Sequence, residues 1–369
     1  MQSESRTAKW DNLKFILIYL VVLGHMLYPF RNESELVKGL YLFIYLFHMP
    51  LFIFVSGMFS KTIIRKRQWE RVISYLLLYN FIRALDTLGT YAHKGKLELN
   101  FFETNGPDWY AMSVFIFLII TIIFQEVKPV YLLAAALMVG LIAGCTDVPG
   151  SLLSYMRSCV FYPFFLLGFY ADRKRLENFG RLDIRMIAGI VVIALLILFI
   201  AKGADYYSYI HLFKAKRAYD EMGVEEYQGI LLRGMQYIAA FGVGLMVLLA
   251  IPDEKSVFSD IGKRTLPVFV WHYLFLKIFW GFSGKNVVMS LFPDTYLVVL
   301  ILMCMLLILF CSSHLFDKTL LLTGGLNMNM PASFLHVSRH HHIWTRTVNR
   351  NGKIGKKGVN GREIRDDQD

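Results

Sequence analysis

RTAKWDNLKFILIYLVVLGHM, residues 6–26, decides how this chain is built. A polar, charged start with Lys9, Asp11, Asn12 and Lys14 runs directly into an apolar segment of membrane length, and His25 lies inside that segment. Such a run is helical in lipid, because only a helix satisfies its backbone groups within one segment. Lys14 and His25 are close to three helical turns apart, so they share a face and lie about 16 Å from each other along the axis. Asp11, Lys14, Ile18, Val21 and His25 form one stripe. One ionisable group therefore sits near a membrane surface. The other sits deeper, where it is costly unless it faces protein or water.

The remaining composition extends this pattern. Of 369 residues, 56% are apolar and 18% charged, below the quarter or so typical of soluble domains. Mean hydropathy is +0.46. The reading is an all-α, polytopic transmembrane helical bundle of ten spans, at roughly 12–28, 40–58, 71–90, 108–125, 130–145, 153–171, 186–201, 230–250, 264–282 and 294–313. Lys9, the cluster Lys61/Arg65/Lys66/Arg67/Arg71, Lys128 and the Arg173-Lys174-Arg175 run fall on one side, and the positive-inside rule places that side and both termini in the cytoplasm. No small-residue cleavage site follows the first span, which is read as an uncleaved helix. The expected division is a cytoplasmic segment at 1–11, a transmembrane domain at 12–315 and a basic cytoplasmic tail at 316–369, in a cell inner membrane or plasma membrane. The net charge of +11 follows topology and calls for no nucleic-acid partner.

Two outer loops are long, 91–107 and 202–229. The second is long enough for an amphipathic helix at 208–222, lying on the membrane surface or forming an acceptor-side lid, and reads equally well as an ordinary interfacial loop. The tail carries His336 and the run His340–His342 without accompanying carboxylates or cysteines. It reads as a basic patch for anionic lipids, with no metal site expected. Cys145, Cys159, Cys304 and Cys311 follow neither zinc nor disulfide spacing; the last two read as small buried hydrophobes.

Three histidines fall inside spans: His25, His48 and His272. From the residues alone, each is either a proton-transfer group or a hydrogen-bonding partner between helices. Pro50, two residues after His48, removes a backbone donor and favours a bend beside it. Asp11 and Lys14 have the spacing to pair, as do Arg83 and Asp86 in the third span. Asp108 and Trp109 open the fourth span as cap and interfacial anchor. Arg67 and Arg71 contribute to a cationic inner surface suited to phosphates, or serve topology alone. A phosphate-binding GxxxxGK[ST], a dinucleotide GxGxxG, an HExxH and a GxSxG elbow are all absent, which argues against a self-powered pump, a metalloprotease and a common serine hydrolase.

Taken together, WDNLKFILIYLVVLGH and FHMPLFIFVSG (47–57) resemble the acyltransferase 3 family of integral-membrane acyltransferases, in its fucose 4-O-acetylase-like branch. DWYAMSVF (108–115), FYPFFLLGFYADR (161–173) and TLPVFVWHYLF (265–275) are weaker echoes, and the likeness spans about 6–315. The resemblance implies a membrane O-acyltransferase that moves an acetyl group from cytoplasmic acetyl-CoA, or another acyl-CoA, to a hydroxyl of a sugar, polysaccharide or lipid-linked glycan. It implies His25 as general base or transient acyl carrier, Lys14 as the basic residue of the first helix that takes part in catalysis, and Lys14, Arg67 and Arg71 as residues that bind the donor. The paired arginines of many members have two residues between them; here three residues separate Arg67 from Arg71. Asp11, His48, Arg83, Asp86 and His272 are expected to support the site. The competing expectation is a proton-coupled transporter or flippase of a polar lipid or sugar.

Overall fold

A computed structural model of the chain describes residues 8–97, 100–104, 106–146, 148–178 and 182–316. These all belong to one compact unit, residues 1–336; a second unit, 337–369, lies outside the described residues together with the tail histidines and the proposed lipid patch. The chain is helical. In order the helices are α1 (Ala8–Leu27), α2 (Glu35–Phe59), α3 (Lys61–Arg65), α4 (Trp69–Lys94), α5 (Asp108–Ile123), α6 (Pro129–Ile142), α7 (Tyr155–Tyr170) and α8 (Arg173–Asn178). Then follow α9 (Leu182–Lys202), α10 (Ile210–Lys214), α11 (Glu226–Ala250), α12 (Val257–Gly262), α13 (Thr265–Gly281), α14 (Gly284–Leu291) and α15 (Tyr296–Cys311). Among the described residues there is no strand beyond one isolated bridge, Glu103 to Leu152.

Each of the ten expected spans falls on one of these helices. Four are long and apolar enough to cross a membrane alone: α1 continued to Phe30, α2, α9 and α11. The α13–α14 pair, bent by 73°, makes a fifth if taken as one span, while α5, α6 and α15 are shorter apolar helices. Helix α4 has the length, 26 residues, but carries Arg71, Arg83 and Asp86.

Helix α2 occupies the centre, with 83% of its most apolar window buried, and packs on α1, α7, α9 and α11. Helix α9 is the opposite case, 6% buried, and turns Ile190, Ile193 and Ile197 outward. Among lipid tails, apolar area alone does not drive helices together, so close backbone approach at small residues does. A Cβ added at Gly57 would lie 2.0 Å from the Phe165 carbonyl oxygen, and one at Gly168 1.8 Å from that of Phe54. The α2–α7 crossing is thus set by a reciprocal pair of glycines. Pro50 sits within α2, which runs unbroken from Glu35 to Phe59. Cys304 and Cys311 are free and buried in the core.

The 202–229 segment corrects an expectation. The amphipathic helix read at 208–222 is instead a 3-10 turn at Tyr207–Tyr209, the short α10, and a second 3-10 turn at Asp220–Met222. Ala215 takes a left-handed conformation, φ 47°, and stops α10. The segment is also packed down. The Tyr219 backbone N–H donates to the Gly144 carbonyl at 2.8 Å and its hydroxyl to Leu141 at 2.7 Å. From α11, the fully buried Arg233 donates to the Leu212 carbonyl at 2.5 Å. These ties pin polar backbone that would otherwise need water.

Gly57→Ala and Gly168→Ala should each destabilise the detergent-solubilised protein by about 1–3 kcal/mol or more, because no side chain can move aside for a carbonyl contact. Gly189→Ala, where an added Cβ meets nothing within 4 Å, should leave stability unchanged or slightly raised. Size-exclusion profiles after stepwise heating measure the difference.

Candidate active site

The two ends of α1 have opposite fates. At its start, Lys14 and Asp11 form the expected ion pair, 2.8 Å apart, and both are buried. Around them, the Asn12 amide donates to the carbonyls of Pro252 and Glu254 at 2.9 Å, and its oxygen accepts from the Ser256 and Ser259 hydroxyls. Buried Lys9 meets Asp253 at 3.1 Å, and Trp10 donates to Glu177. A Cβ at Gly262 would strike the Asp11 carbonyl oxygen at 1.9 Å, so α12 rests directly on α1. Lys14 therefore faces a closed polar cluster rather than an open surface.

At the other end, His25 lines a chamber of about 1360 Å³. That exceeds the usual ~300–1,000 Å³ of a small-molecule pocket. Its walls come from α1, α2, α4, α5, α7 and α13, and its roof from the 149–151 and 211–217 stretches. The His25 ring lies 5.4 Å from that of His272 and 5.2 Å from that of Tyr273. His272 is fully buried behind it; its Nδ1 bonds the Val268 carbonyl at 2.8 Å, and its Nε2 has no hydrogen-bond partner. His48 also lines the chamber, with Nδ1 on the Ile44 carbonyl at 2.6 Å and its ring edge against Tyr45. Binding the Nδ1 atoms of His48 and His272 to carbonyls one turn back fixes those tautomers with Nδ1 protonated and leaves each Nε2 as an acceptor. The three intramembrane histidines thus converge, His25 and His48 on the chamber itself.

A charge network supports one wall. Arg83 in α4 reaches Asp86 and Asp108, each at 3.5 Å, and donates to the Asn100 carbonyl at 2.5 Å. Lys277 in α13 makes a close ion pair with Asp86 and donates to its carbonyl at 3.0 Å. Asp108, expected as a cap, is fully buried and accepts from the Gly106 N–H at 2.8 Å. Trp109 is no interfacial anchor either. It is buried, lines the chamber and lies under the Arg157 guanidinium, 4.9 Å from ring to cation.

Arg67 and Arg71 lie at the start of α4, far along the helix from Arg83. With its amide oxygen turned toward Arg67, Gln125 accepts from Nε and Nη2 at 2.9 and 3.1 Å; Arg67 itself sits at φ 47°. Neither arginine lines the chamber. The stripe from Asp11 to His25 thus divides: Asp11 and Lys14 lock the helix, while Val21 and His25 face the cavity.

Reasoning from sequence passed over Arg157, Lys214, Tyr45, Tyr273 and Lys277. Arg157 and Lys277 carried a usable signal, since each is a cation within an expected span. Lys214, the last residue of α10, falls outside the expected spans and carried none. Its ammonium sits over the rings of Tyr28, Tyr41 and Tyr45, at 5.1, 4.9 and 5.1 Å. Burial, followed by the cations of Arg31, Arg157, Lys216 and Arg217, pushes it down to about 7. Among the described residues no group of His, Cys, Asp and Glu has the arrangement to hold a metal ion.

An all-helical membrane protein with a histidine-lined polar chamber is the class these features define. The family model described as an acyltransferase domain matches residues 7–315, and the chain belongs to that acyltransferase 3 family. It is similar to the nodulation protein NolL of Sinorhizobium fredii, 31% identical over 186 residues, covering 45% of this chain and 49% of that one. It is also similar to the NolL protein of Mesorhizobium japonicum, 28% identical over 231 residues, covering 57% and 60%. The matches thus span about half of those relatives' lengths. No solved structure matches the chain.

Arg83→Met should leave the Asp108 carboxylate buried without its cation, a loss of about 3–5 kcal/mol. Combining it with Asp108→Asn should recover much of the thermal stability. A double variant no better than Arg83→Met in a melting assay would remove the pairing as the reason Arg83 is there.

Proposed function

We propose that this protein is an O-acetyltransferase that moves an acetyl group from acetyl-CoA to a hydroxyl of a sugar or glycan, with His25 as general base. One observation carries the reading: in a chain of the acyltransferase 3 family, His25 lines a large chamber beside His272 and Tyr273. In the transfer step, an acceptor hydroxyl gives its proton to the neutral imidazole as its oxygen attacks the thioester carbonyl. The tetrahedral intermediate then collapses, the C–S bond breaks, and the imidazolium returns the proton to the departing CoA thiolate. A two-step route through an acetyl-histidine balances in the same way, with the thiolate leaving first and the acceptor attacking second. Tyr273 and His48 are placed to hydrogen-bond the acceptor or the developing oxyanion, and His272 to orient His25.

The donor approaches from the end where α1 begins. Arg67 and Arg71 offer positive charge for the CoA phosphates there. Lys14, held by Asp11, acts as a positioning residue that sets the register of α1, and the pantetheine arm covers the axial distance of about 16 Å to His25. This arrangement belongs with ten crossings, cytoplasmic termini, residues 12–315 as the catalytic unit, and a cell inner or plasma membrane. The tail would rest on anionic lipids.

His25→Ala should reduce acetyl transfer by roughly a hundredfold or more while the protein still elutes as a folded species. The assay follows labelled acetyl-CoA to acetylated glycan, or to free CoA, in membranes holding the full-length chain. Undiminished transfer by the variant would remove His25 from the chemistry. Absence of any CoA release by the wild type, alongside movement of a polar lipid or sugar, would point to proton-coupled transport instead.

A further inference from the structure

The roof side of the chamber is electrically unbalanced. Seven lysines and arginines line the cavity against three carboxylates. Arg83 and Lys277 are accounted for by Asp86 and Asp108. Arg157 and Lys214 are not: among the described residues, neither has a carboxylate at ion-pair distance, and Asp108, which acts on Arg157 through space, is already held by Arg83. Instead the two cations adjoin each other, with Arg157 Nε donating to the Lys214 carbonyl at 3.2 Å. Arg157 Nη1 is buried with no hydrogen-bond partner. The guanidinium is held flat against Trp109, and the ammonium over three tyrosine rings.

We infer that Arg157 and Lys214 form a subsite for a phosphate-class oxyanion carried by the acceptor, so that the acetylated molecule is an anionic glycan such as a sugar phosphate or a diphosphate-linked sugar. The inference rests on reading the chamber as the acceptor side of the reaction. Two like charges held together away from bulk water are costly unless an anion joins them. An oxyanion between them would gain charge-assisted bonds from a planar fork and from a point charge. Aromatic faces hold both cations without supplying the negative charge, which keeps the site ready for one. Position agrees as well. Tyr28, under Lys214, stands one turn beyond His25, so an anion bound here lies near the hydroxyl that His25 would deprotonate. The other basic surface, at Arg67 and Arg71, is at the opposite end of the bundle, which separates an acceptor phosphate from those of the donor.

The test is isothermal titration of the full-length protein in nanodiscs with inorganic diphosphate, without acetyl-CoA, so that it reads binding independently of acetyl transfer. Wild type is expected to bind. Arg157→Gln and Lys214→Met should each weaken binding roughly tenfold or more, whereas Arg157→Lys should keep part of it. Arg71→Gln should leave it unchanged, and saturating free CoA should not displace the diphosphate. Lys214→Met replaces a side chain at the end of the short α10, outside the long helices, and guards against misfolding of the Arg157 variant. No binding by the wild type, equal binding by both folded variants, loss on Arg71→Gln alone, or displacement by CoA would each overturn the assignment.

Discussion

Arg83 stands in the middle of α4 and holds two carboxylates from different elements, Asp86 on its own helix and Asp108 at the start of α5. Lys277 joins from α13 through Asp86. This network ties three helices, of which α4 and α13 also approach closely at Gly89 and Gly281. The chamber depends on it, because the same residues form its wall. In an apolar surround, separating such charges exposes each to a desolvation cost of several kcal/mol, so the three helices move together or not at all.

Helix α1 works within that frame as a rod with one fixed and one open end. Its start is surrounded by Asp253, Glu254, Ser256, Ser259 and Gly262, all from the stretch around α12. This leaves Lys14 buried at 1% exposure and paired with Asp11, instead of a surface cation. The far end carries His25 into the chamber, where α13 supplies His272 and Tyr273. The roof is contributed by a loop segment, yet it is anchored as firmly as a helix, since Arg233 and Tyr219 satisfy its backbone and seat it on α6 and α11.

Much of this could be read before any coordinates were known. The run of apolar segments sets the helices, and all ten expected spans are helical, since hydropathy over that length admits almost no other backbone arrangement. The Asp11–Lys14 and Arg83–Asp86 pairs follow from spacing along a single helix. Trp109 and Asp108 were misjudged because their local roles, anchor and cap, are equally good explanations until neighbouring helices are placed. The 208–222 helix failed for a related reason. The segment is long enough for a helix, but the left-handed turn at Ala215 stops α10, and the ties from Tyr219 and Arg233 hold the chain in shorter pieces.

The sequence by itself determined that this is a helical membrane protein of the acyltransferase 3 family, with histidines at depths where they must face polar surroundings. Those facts depend on composition and on intervals within one helix. Only the tertiary structure decided that Lys14 is buried while His25 opens on a cavity. It likewise decided that Arg157, Lys277 and Lys214 gather around that cavity from separate parts of the chain. Spacing along a helix tells which side chains point the same way, but what they face depends on helices far away in sequence. Those helices take their places through glycine crossings such as Gly57 with Gly168 and through ion pairs such as Asp86 with Lys277, neither of which a linear pattern encodes.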